Sequence, residues 1–234
     1  MSDTPRSADA NDPQACLAPS RFIDSEHPQV VAYARRAVGE ATDDTEKARR
    51  LFYAVRDDLR YDPFLVDHRP ESFTASHALD RRVGFCTTKA ALLAATARAE
   101  GIPARLGFAD VRNHLTSPRL HKIMGTDLFV FHGFTELYLG DRWIKATPAF
   151  NLSLCEKAGI LPLEFDGEND SIYHPFDLEG RRHMEYVRYR GVYSDIPFTE
   201  MMQCFAEVYD LNAAHLALAA EGNDARAFER EVTT

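Results

Sequence analysis

The chain has 234 residues, of which 45% are hydrophobic and 27% charged, and its formal net charge is −9. This size and composition are typical of a globular protein that buries a core without disulfide bonds. Because phosphate binding needs a cationic face, the negative charge argues against nucleic acid as a bulk partner, and no apolar run is long enough to span a membrane.

The N-terminal 20 residues are rich in Ser, Asp, Pro and Ala, and they show no helical or strand periodicity. They predict a disordered tail, 1–20, that leaves Cys16 outside a single domain, 21–234. The other cysteines, Cys86, Cys155 and Cys204, are too far apart for a zinc ribbon or a disulfide scaffold. The N-terminus also lacks an apolar signal core, so the expected location is cytoplasmic.

Helices dominate the first part of the chain. Pro28 opens one helix, Asp43 or Asp44 caps a second, and Thr74 caps a short third. The second helix places Ala48, Leu51, Phe52, Val55 and Leu59 on one apolar face. A fourth helix, rich in Ala and Leu, begins at Cys86 and ends at Gly101.

Strands follow the fourth helix. The expected strands are Ala104–Asp110, Leu128–Leu139, Arg142–Thr147 and Met184–Tyr193, with surface loops at 112–126 and 155–177 and a closing helix from Thr199 to about Leu218. Helices followed by an antiparallel sheet indicate an α+β fold. We expect N-terminal helices packed on an antiparallel β-sheet, with a C-terminal helical extension.

Cys86 is the strongest candidate for a nucleophile. It follows Gly84-Phe85 and lies in the first turn of the fourth helix. Free amide groups in that turn stabilise an anion, so the position predicts a lowered thiol pKa and a reactive thiolate. The alternative is a small apolar residue packed beneath the helix, which is how most free cysteines behave.

His132 is the expected base. It lies between Phe131 and Gly133 in the strongest strand signal, where a lone histidine would usually be a core residue. A helix N-terminus that faces a neighbouring sheet can bring a thiol within hydrogen-bond reach of an imidazole, as thiol enzymes require.

Four segments, in order, resemble the transglutaminase-like superfamily, a group of papain-type thiol enzymes. They are Val55–Tyr61, Gly84-Phe85-Cys86 with the turn Gly101-Ile102-Pro103-Ala104-Arg105, the strand His132–Tyr138, and Asp141-Arg142-Trp143 with Thr147-Pro148. The resemblance covers a core of about 44–151 and leaves 152–234 as an extension.

The resemblance implies acyl transfer at an amide: Cys86 attacks the carbonyl to form a thioester, and His132 passes the proton to the leaving amine. The backbone N–H of Cys86 is the expected oxyanion donor.

Thr147 replaces the aspartate that the family usually places just before this proline. A hydroxyl can accept the imidazole N–H and orient the ring, although it brings no negative charge. Thr147 is therefore our candidate third catalytic residue, and an ordinary strand-end threonine is the alternative. Asn151 and Asp110 rank below it, and Glu136 is expected to be a paired structural residue.

Other signals are weaker. Asp166, Glu168, Asp170 and Asp177 are spaced somewhat like a calcium loop, but position six would be Ser171 instead of glycine. The basic run 181–190 is expected to be a solvated strand face, and His114 and His174 are expected in loops that line the cleft.

The sequence therefore predicts a thiol-dependent hydrolase or acyltransferase that acts on an amide bond of a peptide or protein through Cys86, His132 and Thr147, with no cofactor, metal, nucleic-acid or membrane partner. One alternative is a catalytically inactive peptide-binding module of the same fold, favoured by Thr147. Another is acyl transfer to an arylamine or other small amine. The sequence favours no oligomeric state.

Overall fold

The computed structural model describes residues 9–65, 69–114, 118–173, 176–209 and 228. The first helices are α1 (Pro28–Val38), α2 (Asp44–Asp58), α3 (Ala75–Arg81) and α4 (Cys86–Ala99). As predicted, Pro28 is the first residue of α1, and side-chain oxygens of Asp43 and Thr74 cap α2 and α3 by accepting the N–H groups of Glu46 and His77. Shorter helices are α5 (Pro118–Met124), α6 (Leu152–Ala158) and α7 (Phe198–Val208).

The main sheet is antiparallel and four-stranded, as predicted. It consists of β3 (Ala104–Asn113), β4 (Leu128–Leu139), β5 (Arg142–Ala146) and β6 (Met184–Tyr193), in the order β5-β4-β3-β6. A small parallel pair joins β1 (Arg60–Tyr61), which follows α2, to β2 (Val83–Gly84), which immediately precedes α4. The α+β class is therefore confirmed.

Helix α4 is the centre of the core. Every residue from Cys86 to Arg98 is buried, since α1, α2 and α3 pack on one side of the helix and β3 and β4 on the other. A helix that is apolar and small-chained all round can be enclosed in this way. The buried Lys89 donates from Nζ to the carbonyls of Arg56 and Leu59, at 2.9 and 2.6 Å, and so ties α4 to the end of α2.

The prediction that Cys16 lies in a tail outside the fold is wrong. Residues 9–20 include two short 3₁₀ helices, Cys16 is fully buried, and only residues 1–8 of the predicted tail lie outside the described residues. Two arginines of the core hold this segment: Arg105 donates to the carbonyl of Ala10 at 2.8 Å, and Arg98 donates to that of Ala18 at 2.6 Å. Composition alone does not reveal these long-range contacts.

Two segments that the sequence predicts to be loops contain helices in the structure. Strand β3 continues to Asn113, α5 occupies 118–124 of the predicted loop 112–126, and α6 overlaps the start of the loop 155–177. Pro118 begins α5 and Leu120 is buried beneath it, so tertiary packing stabilises a segment with weak periodicity. The closing helix ends at Val208, and the remainder of its predicted span, to Leu218, lies outside the described residues. Among the described helices, none has the length and apolar character to cross a bilayer.

Candidate active site

The start of α4 is held by short contacts around Cys86. Gly84 pairs with Tyr61 across β1 and β2, and its carbonyl accepts the N–H of Asp62 at 2.9 Å. The N–H of Phe85 donates to the hydroxyl of Thr88 at 3.1 Å. A Cβ on Gly84 would lie 2.6 Å from that hydroxyl, so only glycine fits. Cys86 is consequently the first residue of α4, as predicted.

The beginning of α4 packs directly on β4. A Cβ on Gly133 would lie 2.9 Å from Cα of Thr87, which shows how closely the two backbones approach. The hydroxyl of Thr87 donates to the carbonyl of Phe131 at 3.5 Å, and further along the helix the hydroxyl of Thr135 donates to the carbonyl of Ala90 at 2.8 Å. These contacts place Cys86 beside the strand segment that carries His132.

The Cys86 thiol is nearly buried, with 9% of the residue exposed. Burial raises its pKa, although the N–H of Gly133, the hydroxyl and N–H of Thr87 and its own N–H act in the opposite direction. The prediction of a lowered pKa is therefore wrong for this arrangement, because removal from water outweighs the stabilisation of an anion at the helix start. The contact with the N–H of Gly133 nevertheless puts the sulfur next to the residue that follows His132.

His132 is also buried. Burial lowers the pKa of its imidazole to about 4, so the ring is neutral at neutral pH. Nε2 forms a hydrogen bond with the hydroxyl of Tyr173 at 3.2 Å, and the rings of the two residues meet edge to face. Among the described residues, Nδ1 has no hydrogen-bond partner, and no hydrogen bond joins the ring to Cys86. The imidazole thus has Nε2 held by a hydrogen bond and Nδ1 without a partner among the described residues.

The backbone before His132 is unusual. Phe131 has a φ of 53°, a left-handed conformation that is costly for a residue with a bulky side chain. Asp110, at a register shift of β3, accepts the N–H of Phe131 at 3.1 Å and pairs with Arg190, whose guanidinium lies over the Phe131 ring. Asp110 therefore supports the strand next to His132 and does not contact the imidazole.

Thr147 is fully buried, and its hydroxyl faces that of Tyr186 without forming a hydrogen bond of standard geometry. It does not contact the ring nitrogen that Tyr173 occupies. Asn151 accepts the N–H of Tyr61 at 2.9 Å, and Glu136 forms a buried ion pair with Arg105, as expected for a structural residue.

Tyr173 is the functional candidate that the sequence analysis missed. It lies two residues beyond Ser171, which forms a parallel bridge with Ala146 at the end of β5. Its ring packs against Phe150, and Phe150 packs against Tyr61 in turn. No motif marks a tyrosine in this loop, and only the alignment of 171 beside β5 brings it to His132.

The acidic residues with calcium-loop spacing do not come together in the structure. Asp166 accepts N–H groups of its own turn, Asp170 pairs with Lys145, and Asp177 pairs with Arg181. In the part of the chain that the structure describes, no three His, Cys, Asp or Glu side chains are grouped as a metal site requires. Residues 185–189 of the basic run are exposed on β6, as expected, whereas Arg190 turns to Asp110. His174 lies outside the described residues.

Two solved structures are similar to part of this chain. A solved structure of a candidate cysteine protease from Cytophaga hutchinsonii aligns with 59% of this chain and 42% of its own, at 22% identity and a TM-score of 0.46. A second, a candidate protease from Parabacteroides distasonis, aligns with 61% of this chain and 28% of its own, at 15% identity and a TM-score of 0.38. This chain therefore spans less than half the length of either protein. No curated protein matches the sequence.

The model of the transglutaminase-like superfamily matches residues 31–148. The match begins in α1, before the 44–151 core that the sequence motifs indicated, and it includes α4, β3, β4 and β5. Because it spans half of the sequence, the chain belongs to the transglutaminase-like superfamily.

Proposed function

We propose that the protein is a thiol-dependent hydrolase or acyltransferase that acts on an amide bond of a peptide or protein. The observation that carries the proposal is the contact of the Cys86 sulfur with the N–H of Gly133, next to a His132 ring whose Nδ1 is buried and unpaired. A nucleophile and a neutral base on adjoining elements, with the base held by a third group, form the general arrangement of nucleophilic catalysis.

The neutral state of both groups sets the order of proton transfer. Since burial raises the pKa of Cys86 and lowers that of His132 to about 4, the resting pair is a thiol and an imidazole. His132 takes the thiol proton as the sulfur attacks the substrate carbonyl. The carbonyl oxygen becomes an oxyanion, and the backbone N–H of Cys86 is the proposed donor to it.

Collapse of this intermediate releases the amine. The carbon–nitrogen bond breaks, His132 gives its proton to the leaving nitrogen, and the acyl group remains on Cys86 as a thioester. Water, or a second amine, then attacks the thioester while His132 accepts its proton. That proton returns to the Cys86 sulfur as the thioester breaks, which releases a carboxylic acid or a new amide and restores the resting pair.

Tyr173 takes the orienting role that the sequence analysis gave to Thr147. A hydrogen bond at Nε2 fixes the rotation of an imidazole. With Nε2–H as the donor to the Tyr173 hydroxyl, Nδ1 is the nitrogen that exchanges a proton. The hydroxyl of Tyr173 is 3.2 Å from Nε2, whereas no hydrogen bond joins the Thr147 hydroxyl to the ring. Burial also raises the pKa of Tyr173 well above its ordinary value, so the phenol stays neutral.

One observation favours the second candidate, a peptide-binding module without activity. Neither reactive group is charged at neutral pH, and no hydrogen bond connects the Cys86 sulfur to the ring. A module of this kind would bind peptides in the same cleft without forming a covalent adduct.

A mass-spectrometric scan with a panel of peptide electrophiles separates these functions. We expect an adduct on Cys86 in the parent protein and at least a tenfold slower reaction in His132→Ala, since loss of the base removes proton transfer. Cys204, which is half-buried and contacts Arg190 outside the site, is the internal control. Labelling of Cys86 at equal rates in the two proteins would contradict the proposal and favour the binding module.

A further inference from the structure

A cavity of about 410 Å³ adjoins the candidate active site, and Tyr173 forms part of its wall. The hydroxyl of the same Tyr173 holds Nε2 of His132. Tyr186, which also lines the cavity, accepts the N–H of Tyr173 at 3.4 Å. The cavity, hereafter the Tyr173 cavity, therefore shares Tyr173 with the candidate site.

The walls of the Tyr173 cavity are mainly apolar. They include Ile172, Tyr173, Phe176, Met184 and Tyr186. Three of these are unusually exposed for large apolar residues: Ile172 by 38%, Phe176 by 51% and Tyr186 by 37%. Exposed apolar side chains that line one concavity mark a binding surface, and the volume is in the usual range of about 300–1,000 Å³ for ligand sites.

The charged groups in the Tyr173 cavity offset one another. The carboxylate of Glu185 lies 3.2 Å from Nε2 of His114 and 3.9 Å from the guanidinium of Arg182. Among the described lining residues, Glu185 is the acidic one, and it already faces these two groups. The chemistry of the cavity fits an uncharged apolar occupant better than an ionic one.

We propose that the Tyr173 cavity is the subsite for a large uncharged side chain, aromatic or branched aliphatic, of the substrate whose amide Cys86 attacks. The inference rests on the proposed function, because it places this side chain beside the reacting bond. An occupant packed against the Tyr173 ring also restricts the tyrosine that holds His132. Substrates with such a side chain should consequently react faster as well as bind more tightly.

Direct binding in a Cys86→Ser protein tests the subsite without any chemistry. Dissociation constants are measured by NMR titration for two uncharged probes, N-acetyl-phenylalaninamide and N-acetyl-glycinamide. We expect the phenylalanine probe to bind at least about tenfold more tightly, since its ring leaves water. Adding Ile172→Glu should remove most of that preference, and the milder Ile172→Ala should reduce it in part.

The matched control is Val187→Glu. Val187 is 49% exposed and neighbours Tyr186 in β6, but it does not line the Tyr173 cavity. This variant should retain the preference for the phenylalanine probe. Equal binding of the two probes to folded Cys86→Ser protein would overturn the inference, as would an equal loss in the Ile172→Glu and Val187→Glu variants.

A parallel reaction of the parent protein with matched phenylalanyl and glycyl electrophiles separates the two proposals. Preferential binding without an adduct on Cys86 would support the subsite and contradict the proposed chemistry. An adduct on Cys86 without preferential binding would support the chemistry and overturn the subsite.

Discussion

The hydroxyl of Tyr173 is the group whose removal tests the orientation of His132 most simply. In Tyr173→Phe the ring can keep its packing against Phe150, but Nε2 of His132 loses its partner at 3.2 Å. Loss of a hydrogen bond worth about 1.5 kcal/mol corresponds to about tenfold in rate. We expect kcat to fall by at least about tenfold with little change in KM.

Steady-state kinetics with a matched variant checks this prediction. Tyr138→Phe alters a tyrosine at the far end of β4, where it packs on Trp143, and should leave kcat unchanged. If Tyr173→Phe keeps the parent kcat and pH profile, Tyr173 has no orienting role.

Thr147→Val removes a buried hydroxyl that faces Tyr186 without a hydrogen bond of standard geometry. An orienting role for Thr147 would predict lower activity in this variant, whereas the structure predicts a smaller loss of kcat than in Tyr173→Phe. Because the lost contact with Tyr186 and the removal of an imperfectly paired buried hydroxyl act in opposite directions, the free energy of unfolding should change by less than about 1 kcal/mol. Chemical denaturation and kinetics measure the two effects, and a larger loss of kcat than in Tyr173→Phe would return the orienting role to Thr147.

At the scale of elements, the close approach of α4 to β4 positions the thiol. Gly133→Ala would place a Cβ 2.9 Å from Cα of Thr87, a backbone atom that cannot move unless the helix moves with it. The helix must shift, so we expect a loss of about 1–3 kcal/mol in the free energy of unfolding together with slower adduct formation at Cys86. Chemical denaturation and timed mass spectrometry measure these quantities.

Gly140→Ala is the control for Gly133→Ala. Gly140 lies in the turn between β4 and β5, and a Cβ there would meet no atom within 4 Å, although its φ of 54° carries a conformational cost. This variant should lose some stability and keep the parent rate at Cys86. Parent-like adduct formation in Gly133→Ala would show that the approach of α4 to β4 does not position the thiol.

The elements themselves could be predicted well because their signals are local. The caps at Asp43 and Thr74, and the long aromatic strand Leu128–Leu139, depend on nearby residues, and the structure confirms them. Cys86 at the head of α4 follows from the same kind of signal.

The parts that the sequence analysis missed depend on distant partners. Tyr173 reaches His132 only because Ser171 pairs with Ala146 at the end of β5. Cys16 is buried because Arg98 and Arg105 hold the segment around it. The direction of the Cys86 pKa was also missed. The first turn of a helix predicts a lower pKa, but the degree of burial is decided by the whole fold.

At the scale of the whole molecule, the buried imidazole links stability to pH. The pKa of His132 is about 4 in the folded protein and about 6.5 in the unfolded chain. Below pH 6.5, His132 therefore binds a proton in the unfolded chain but not in the folded protein. The free energy of unfolding consequently falls until the pH reaches about 4. The full shift corresponds to about 3 kcal/mol.

Urea denaturation between pH 4 and 7 measures this linkage against a His132→Gln variant, which lacks the titrating group. The parent should lose more stability than the variant as the pH falls. Parallel curves for the two proteins would show that His132 is not held neutral by burial.

In the proposed reaction, Cys86 carries the acyl group of an amide substrate as a thioester. The most direct measurement is acid-quenched mass spectrometry of the parent protein after brief reaction with an activated N-acetyl-phenylalanyl anilide. We predict an acyl adduct that maps to Cys86, disappears on treatment with hydroxylamine, and is absent from Cys86→Ser. Turnover of the anilide by the folded Cys86→Ser protein at the parent rate, with no acyl group on Cys86 of the parent at any time, would contradict the account.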